Sequence, residues 1–154
     1  MTATPDSSPR DDAIRLLARR EYGRQELRQR LAAKGHEPDQ VEACLDELEE
    51  QGLQSDQRFA ESFLRSRVAR GQGPVKVRAE LGQRGIDDAT QAQAFDEVAD
   101  EVDWYELAAA VLARRFSGPG DSPRERARRE RFLAGRGFDF DQLRHAMTHA
   151  WDTP

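Results

Sequence analysis

Leu31-Ala32-Ala33-Lys34-Gly35 is the stretch that decides the fold, because its pattern occurs three times in this chain of 154 residues. It returns as Leu81-Gly82-Gln83-Arg84-Gly85 and as Leu133-Ala134-Gly135-Arg136-Gly137. In each copy a leucine is followed four residues later by a glycine. The residue directly before that glycine is a lysine or an arginine. The glycines lie 50 and 52 residues apart. A pattern with a nearly constant period indicates tandem structural repeats.

Helical spacing of apolar residues surrounds each copy. Leu27 and Leu31, for example, lie four residues apart on one helical face, and similar stripes precede and follow them. We predict an all-α fold, an elongated array of three tandem three-helix repeats that resemble helix-turn-helix units. The predicted repeats span residues 10–54, 55–101 and 102–154, after a disordered polar tail over residues 1–9. No run of β-branched residues with a period of two predicts a strand.

Turn and cap residues mark the ends of the predicted helices. Glycine adopts the left-handed conformation at low cost, which suits the last turn of a helix. Ser122-Pro123-Arg124-Glu125 has the residues of a capping box, and Asp87 or Asp88 is predicted to cap the third helix of the second repeat. The glycines predicted to be structural turns are Gly35, Gly85 and Gly137.

Composition restricts the class of protein. Charged residues make up 34% of the chain and hydrophobic residues 37%, so much of the chain must be surface, as small stacked units require. Cys44 is the only cysteine, which excludes an intrachain disulfide and fits a reducing compartment. No apolar run approaches the roughly 18 residues that span a membrane, and residues 1–9 lack the features of a secretory signal. We predict a monomeric, cytoplasmic protein with no membrane partner.

Charge is segregated along the chain, although the net charge is only −5. Residues 10–36, 62–85 and 107–137 carry net charges of +4, +5 and +5, whereas 37–61 and 86–106 carry −8 each. One interpretation is that basic and acidic helices pair with each other, since exposed pairs contribute roughly 0–1 kcal/mol each. The other is a bipolar surface with one face for polyanions.

The second interpretation selects candidate contact residues on the basic helices. Of the 24 basic residues, 22 are arginine, which is the better planar ligand for phosphate and carboxylate, although genomic base composition also explains such an excess. At 100° per residue, Arg124, Arg128 and Arg131 line one face of a helix. The predicted partner- or DNA-binding residues are Arg19, Arg20, Arg24, Arg28, Arg67, Arg70, Lys76, Arg78, Arg124, Arg126, Arg128, Arg129 and Arg131.

Residues with catalytic or metal-binding chemistry lack the partners that such chemistry needs. His145 and His149 have helical metal-ligand spacing, but Ala146 stands where a metalloprotease needs glutamate and no third ligand is near. Cys44 lies on an apolar stripe without a neighbouring histidine, and His36 stands alone. We therefore predict no catalytic residue, no metal and no cofactor, and hence a protein that is not an enzyme.

Ordered motifs occur in all three repeats. They are Leu17-Ala18-Arg19-Arg20-Glu21-Tyr22, Asp56-Gln57-Arg58-Phe59-Ala60, Gly71-Gln72-Gly73-Pro74, Asp103-Trp104 and Arg131-Phe132-Leu133. Together, over about residues 11–150, their order and spacing resemble the RecX regulatory proteins of bacteria. One departure is Gly23, where the family more often has a serine, and glycine is only slightly worse as a helix cap.

The resemblance implies a non-enzymatic modulator of the RecA recombinase. Such proteins bind in the helical groove of the RecA–DNA filament, suppress ATP hydrolysis and strand exchange, and can promote filament disassembly. From the local excess of positive charge we also predict contact with single- and double-stranded DNA through the basic helices. The alternative is a direct, largely non-sequence-specific DNA-binding protein, because three-helix units resemble helix-turn-helix modules. Base readout by the third helix of the first repeat is disfavoured, since acids such as Glu42 and Asp46 would meet phosphate repulsion.

Overall fold

Nine α-helices and one short 3-10 helix form the part of the chain that the structure, a computed structural model, describes, namely residues 6–152. The α-helices are α1 (Pro9–Leu17), α2 (Arg24–Ala33), α3 (Pro38–Glu50), α4 (Asp56–Ala69), α5 (Pro74–Gln83), α6 (Asp88–Val98), α7 (Trp104–Arg115), α8 (Pro123–Gly135) and α9 (Phe140–His149). No strand occurs in residues 6–152, so the predicted all-α class is confirmed. None of these helices combines the length and the apolar character needed to cross a membrane.

The described chain divides into two compact units. The first unit runs to Ser62 and also includes Leu81–Ala94, and the second comprises Phe63–Glu80 and the described residues from Phe95 onward. The first repeat therefore lies wholly in the first unit and the third repeat in the second, whereas the helices of the second repeat are divided between them. Sequence periodicity indicates the repeats but not this division.

One hydrophobic core holds α1, α2 and α3 together in the first unit. Its side chains come from the stripes predicted by helical spacing, and burial raises the pKa of the Cys44 thiol. The thiol is therefore a packing group, as predicted. The buried core residues are Ala13, Tyr22, Leu27, Leu31, Val41, Cys44, Leu45 and Leu48, with Leu16 and Leu17 packed against them.

A second core lies between α7, α8 and α9 in the second unit. Phe116 and Phe132 pack edge to face with ring centroids 5.7 Å apart, and Trp151 Nε1 donates to the Phe116 carbonyl at 2.8 Å. This edge-to-face geometry is favourable for aromatic pairs. The buried core residues are Ala108, Ala109, Val111, Leu112, Leu133, Phe138, Leu143 and Ala146.

The three organising glycines have the left-handed conformation predicted for them. The φ angles of Gly35, Gly85 and Gly137 are +91°, +81° and +96°. Two of them also allow a close approach of another helix. A Cβ atom on Gly85 would lie 2.7 Å from Gln25 Cδ, and one on Gly137 would lie 2.7 Å from the Lys76 backbone nitrogen. These glycines therefore serve both as turns and as sites of tight packing.

The start of α8 differs from the predicted capping box. Ser122 Oγ accepts a hydrogen bond from the Glu125 backbone nitrogen at 3.2 Å, as expected. The Glu125 carboxylate, however, accepts from the Asp121 nitrogen at 2.6 Å rather than from Ser122. The complete capping box is found at α9, where Asp139 accepts from Gln142 and the Gln142 side chain accepts from Asp139.

Hydrogen bonds also test two other predictions, one on the residue that caps α6 and one on the N-terminal tail. Asp87, rather than Asp88, caps α6, because its carboxylate accepts from the Thr90 nitrogen at 2.7 Å. Of the predicted tail over residues 1–9, residues 1–5 lie outside the described part of the chain. For its last two residues the prediction is wrong: Ser8 accepts from the Asp11 nitrogen at 3.0 Å and caps α1, which begins at Pro9.

His36 was expected to stand alone, and this expectation is wrong. Its Nε2 lies 2.6 Å from Asp12 Oδ2, and both side chains are buried. Ser7 Oγ donates to the other Asp12 oxygen at 2.6 Å, and Lys34 Nζ lies 3.7 Å from it. The hydrogen bonds from Ser7 and then His36 lower the Asp12 pKa. A buried polar pair therefore joins α1 to the turn at Gly35.

Candidate nucleic-acid and partner interface

Arg24, a predicted contact residue, is held by the acidic helix of its own repeat. Its guanidinium donates to Asp46 at 2.7 Å, Glu49 at 2.8 Å and Glu42 at 3.0 Å, all on α3. Partial burial lowers the Arg24 pKa, but these hydrogen bonds raise it by more, so the net shift is upward. Arg24 is therefore part of the packing between α2 and α3.

Glu42 brings a second predicted contact residue, Arg28, into the same cluster. Arg28 Nε donates to Glu42 Oε1, and its second terminal nitrogen lies 3.4 Å from Glu42 Oε2. Hydrogen bonds from Arg28 and then from Arg24 lower the Glu42 pKa to about 2. In the first repeat, basic and acidic helices therefore pair with each other, and they do so within the repeat.

Arg19 and Arg20 follow α1 and differ in their surroundings. The Arg20 guanidinium lies 3.6 Å from the centre of the Tyr22 ring and donates to Glu26 at 3.0 Å. Arg19 is exposed, and within the described residues no carboxylate lies within 4.0 Å of it. Of the four basic residues predicted in the first repeat, Arg19 alone lacks a partner there.

The basic residues predicted in the second repeat belong to the second unit. Arg67 donates to Glu80 at 3.1 Å and lies over the Phe63 ring, which makes it a packing residue. Arg78 is exposed with its guanidinium 4.4 Å from the centre of the Phe95 ring. Lys76 is also exposed, and neither has a carboxylate within 4.0 Å in residues 6–152.

Helix α8 presents a row of arginines that its own glutamates do not neutralise. Arg129 is the exception to the prediction, because it donates to the carbonyls of Gly118 at 2.7 Å and Glu125 at 2.9 Å. It also lies 4.4 Å from the centre of the Phe116 ring and is therefore a structural residue. The exposed arginines of α8 without a carboxylate within 4.0 Å in the described chain are Arg124, Arg126, Arg128 and Arg131.

A shallow depression of about 170 Å³ lies beside α8 in the second unit. Four arginines line it together with Phe132, Val111 and Gly71. We call it the arginine groove. None of its arginines has a carboxylate within 4.0 Å among residues 6–152. The four arginines are Arg70, Arg114, Arg115 and Arg136.

Backbone contacts set the shape of the arginine groove. The Gly73 nitrogen donates to the Arg136 carbonyl at 2.8 Å, and the Val75 nitrogen donates to the Gly137 carbonyl at 2.9 Å. A Cβ atom on Gly73 would lie 2.5 Å from the Phe138 nitrogen, so only glycine allows this approach. The motif Gly71-Gln72-Gly73-Pro74 therefore brings the end of α4 against the end of α8, and with it Arg70 against Arg136.

Sequence reasoning selected Arg70 but missed the other three arginines of the groove. Arg114 and Arg115 lie at the end of α7, and Arg136 occupies the position before an organising glycine. All three lie within the basic block over 107–137, but the contact residues predicted in that block lie only between Arg124 and Arg131. Their proximity depends on packing between helices, which no spacing along the chain shows.

The histidines at the end of the chain form pairs rather than a metal site. His145 Nε2 lies 3.3 Å from Glu106, and His149 Nδ1 lies 2.7 Å from Asp152. In the part of the chain that is described, no group of three or more His, Cys, Asp or Glu side chains is arranged to hold a metal ion. Each of these two histidines therefore has a single carboxylate partner in the described chain.

Family models match three successive parts of the chain. The model of the first three-helix domain of RecX matches residues 10–48, that of the second matches 55–94, and that of the third matches 101–147. Each match falls on one of the three-helix repeats. The repeat organisation read from the glycine spacing is therefore confirmed.

Similar proteins extend over nearly the whole chain. The regulatory protein RecX of Chromohalobacter salexigens is 60% identical over 150 residues, 97% of each chain. That of Halorhodospira halophila is 50% identical over 143 residues, 92% of this chain and 87% of the other. A crystal structure of RecX from Lactobacillus salivarius superposes with a TM-score of 0.77 at 23% identity, over 92% of this chain and 94% of that one. This last likeness shows the same fold.

Proposed function

The chain belongs to the RecX family, and from that membership we propose that it is a regulatory protein that binds the RecA–DNA filament. In this proposal it inhibits the ATPase activity of the filament, strand exchange and filament growth. The relatives of Chromohalobacter and Halorhodospira are named regulatory proteins, which supports the regulatory role. The filament as target follows from the family resemblance.

The unpaired positive charge of the second unit is the observation that supports a filament partner. Such a surface attracts a polyanion over several ångströms, and the filament contains DNA phosphates. The candidate contact residues that groups of the chain itself hold leave the set: Arg20, Arg24, Arg28, Arg67 and Arg129. The exposed arginines of α8 remain in it.

ATP hydrolysis by RecA on single-stranded DNA tests the proposal. The Arg124→Glu/Arg128→Glu variant reverses two exposed charges on one face of α8 without removing an ion pair in the described chain. We expect half-inhibition to require about tenfold more of this variant, equivalent to about 1.4 kcal/mol of binding free energy. Arg144→Glu reverses an exposed charge on α9 of the same unit and serves as the control.

Equal inhibition by the wild-type protein and the double variant, at equal melting temperatures, would show that the α8 arginines are only surface charge. Failure of the wild-type protein to inhibit RecA would remove the filament from the proposal altogether. Both readouts need the full chain and intact filaments.

Direct, largely non-specific DNA binding is the second candidate function, and the same unpaired arginines favour it. The acidic residues of α3 disfavour base readout by that helix, because Asp46 and Glu49 are exposed. Stoichiometry separates the two functions. Inhibition with fewer molecules than RecA protomers, together with weak binding to bare DNA, supports the filament. Inhibition that follows the coverage of bare DNA supports direct binding.

A further inference from the structure

The arginine groove concentrates positive charge at one place without compensation. Arg70, Arg114, Arg115 and Arg136 line a depression of about 170 Å³, and no carboxylate lies within 4.0 Å of any of them in the described chain. Like charges held close together repel, and an anion between them relieves that repulsion. The groove is therefore suited to a ligand that carries negative charge.

Aromatic rings hold two of these guanidinium groups in position. The Arg136 guanidinium lies 5.5 Å from the centre of the Phe132 ring and donates to the Arg70 carbonyl at 3.4 Å. The Arg115 guanidinium lies 5.3 Å from the Phe116 ring and 6.0 Å from the Phe132 ring. A guanidinium that rests on a ring keeps its N–H donors for a ligand and has less rotamer freedom to lose on binding.

The groove continues into the exposed face of α8. Arg128 lies 5.9 Å from the same Phe116 ring that Arg115 approaches. From there Arg124 and Arg131 extend the row, and with a helical rise of about 1.5 Å per residue the three arginines are separated by roughly 6 and 4.5 Å along the axis. A ligand that enters the groove and follows α8 thus meets a cation every few ångströms.

We propose that the arginine groove clamps one phosphodiester of a nucleic-acid strand and that the exposed row of α8 binds the phosphates that follow. This inference rests on the proposed function only in that the filament contains DNA, and it assigns the groove to the strand rather than to the recombinase protein. A strand carries one charge per nucleotide, about 3.4 Å apart along the axis in a duplex, which matches a row of closely spaced cations. The apolar side chains of Phe132 and Val111, which also line the groove, suit sugar carbons.

Binding of a labelled single-stranded oligonucleotide, measured by fluorescence anisotropy over a series of NaCl concentrations, tests the groove without RecA. The variant Arg114→Gln/Arg115→Gln removes two cations that form no hydrogen bond or ion pair in the described chain. Each lost phosphate contact lowers the slope of log K against log salt by about 0.7 for single strands. Because the groove holds one phosphodiester, we expect the slope to fall by about 0.7 and the affinity at low salt to fall at least tenfold.

Arg144→Gln is the matched control, because its guanidinium also rests near a ring, 5.7 Å from the centre of Phe140, but lies outside the groove. Its slope and affinity should equal those of the wild type. The conservative Arg114→Lys/Arg115→Lys variant should recover most of the slope, since lysine keeps the charge. Melting temperatures of all variants show that folding is retained.

Three results would overturn the assignment. A wild-type salt slope for the glutamine variant would place the strand elsewhere. Weaker binding to RecA filaments with unchanged binding to bare DNA would assign the groove to an acidic protein surface. Binding of pyrophosphate that is lost in the glutamine variant, while that variant binds DNA with the wild-type affinity and salt slope, would assign it to free polyphosphates. Because bare DNA and RecA ATPase are measured separately, failure of the groove and failure of the proposed function are distinguishable.

Discussion

Gly23 and Gly73 precede equivalent helices in successive repeats, and replacing each by serine should change stability in opposite directions. Serine is a slightly better helix cap than glycine and restricts the unfolded chain. Local propensity therefore predicts a gain of a few tenths of a kcal/mol or more at both positions. The structure supports that prediction only at Gly23. A Cβ atom there would lie 3.4 Å from Phe59 and 3.6 Å from Ile86, which is ordinary van der Waals contact.

At Gly73 the added Cβ would lie 2.5 Å from the Phe138 nitrogen and would overlap the Gly137 carbonyl. The two backbone segments must therefore separate by about 1 Å, which breaks the hydrogen bonds from Gly73 to Arg136 and from Val75 to Gly137. Each is worth about 0.5–1.5 kcal/mol. After a gain of about 0.4–1 kcal/mol from the unfolded state, we expect a net loss of about 1–2 kcal/mol.

Urea unfolding followed by tryptophan fluorescence measures the loss of stability in the second unit, which contains Gly73. Both tryptophans, Trp104 and Trp151, belong to the second unit, as Gly73 does, whereas Gly23 belongs to the first. The fluorescence midpoint should fall for Gly73→Ser, and the melting temperature should drop by about 2–8 °C. Gly23→Ser should leave the fluorescence transition unchanged or move it upward. If both variants are stabilised equally, the backbone contact between Gly73 and Gly137 does not constrain the fold.

Two further predictions concern the first unit. The folded-state pKa of Glu42, about 2, lies below the ordinary value of 4.5, so its stabilisation is complete above pH 4.5 and lost as the pH falls toward 2. The stability difference between wild type and Glu42→Gln in urea, followed by circular dichroism, should therefore shrink over that range, and a constant difference would contradict the Arg24–Glu42–Arg28 cluster. Asp12→Ala should cost about 1–3 kcal/mol because it leaves the buried His36 without its partner. Asp12→Ala/His36→Leu should recover most of that loss, since an apolar pair can replace a buried polar one, and a double variant no more stable than the single one would show that the pair is not the cause.

Helix positions and turns were predictable because they depend on neighbours within four residues. The stripes of α2 and α3 and the turns at Gly35, Gly85 and Gly137 follow from such local patterns. The buried pair between Asp12 and His36 was not predictable, because the residues are 24 positions apart and each is unremarkable alone. At equivalent places in the other repeats, Ile86 and Phe138 are buried apolar residues, which conceals the polar exception in the periodic pattern.

The candidate interface was predicted only in part, for the same reason. Periodicity correctly placed Arg124, Arg128 and Arg131 on an exposed face of α8. It also selected Arg24 and Arg28, since a sequence shows the charge of a helix but not which acidic helix lies against it. Arg114, Arg115 and Arg136 were missed because they meet only when α7 and α8 pack and the loop at Gly73 docks.

The amino-acid sequence by itself determined the repeat, the helices and the segregation of charge in this chain. Helix formation and left-handed glycine turns are local events that side-chain pattern and backbone sterics control. Tertiary structure alone decided which charges are neutralised and which stay available. Arg24 is held among the acids of α3, whereas Arg115 rests on a phenylalanine beside three other arginines. That distinction depends on distances of 3–6 Å between helices, and only packing sets those distances.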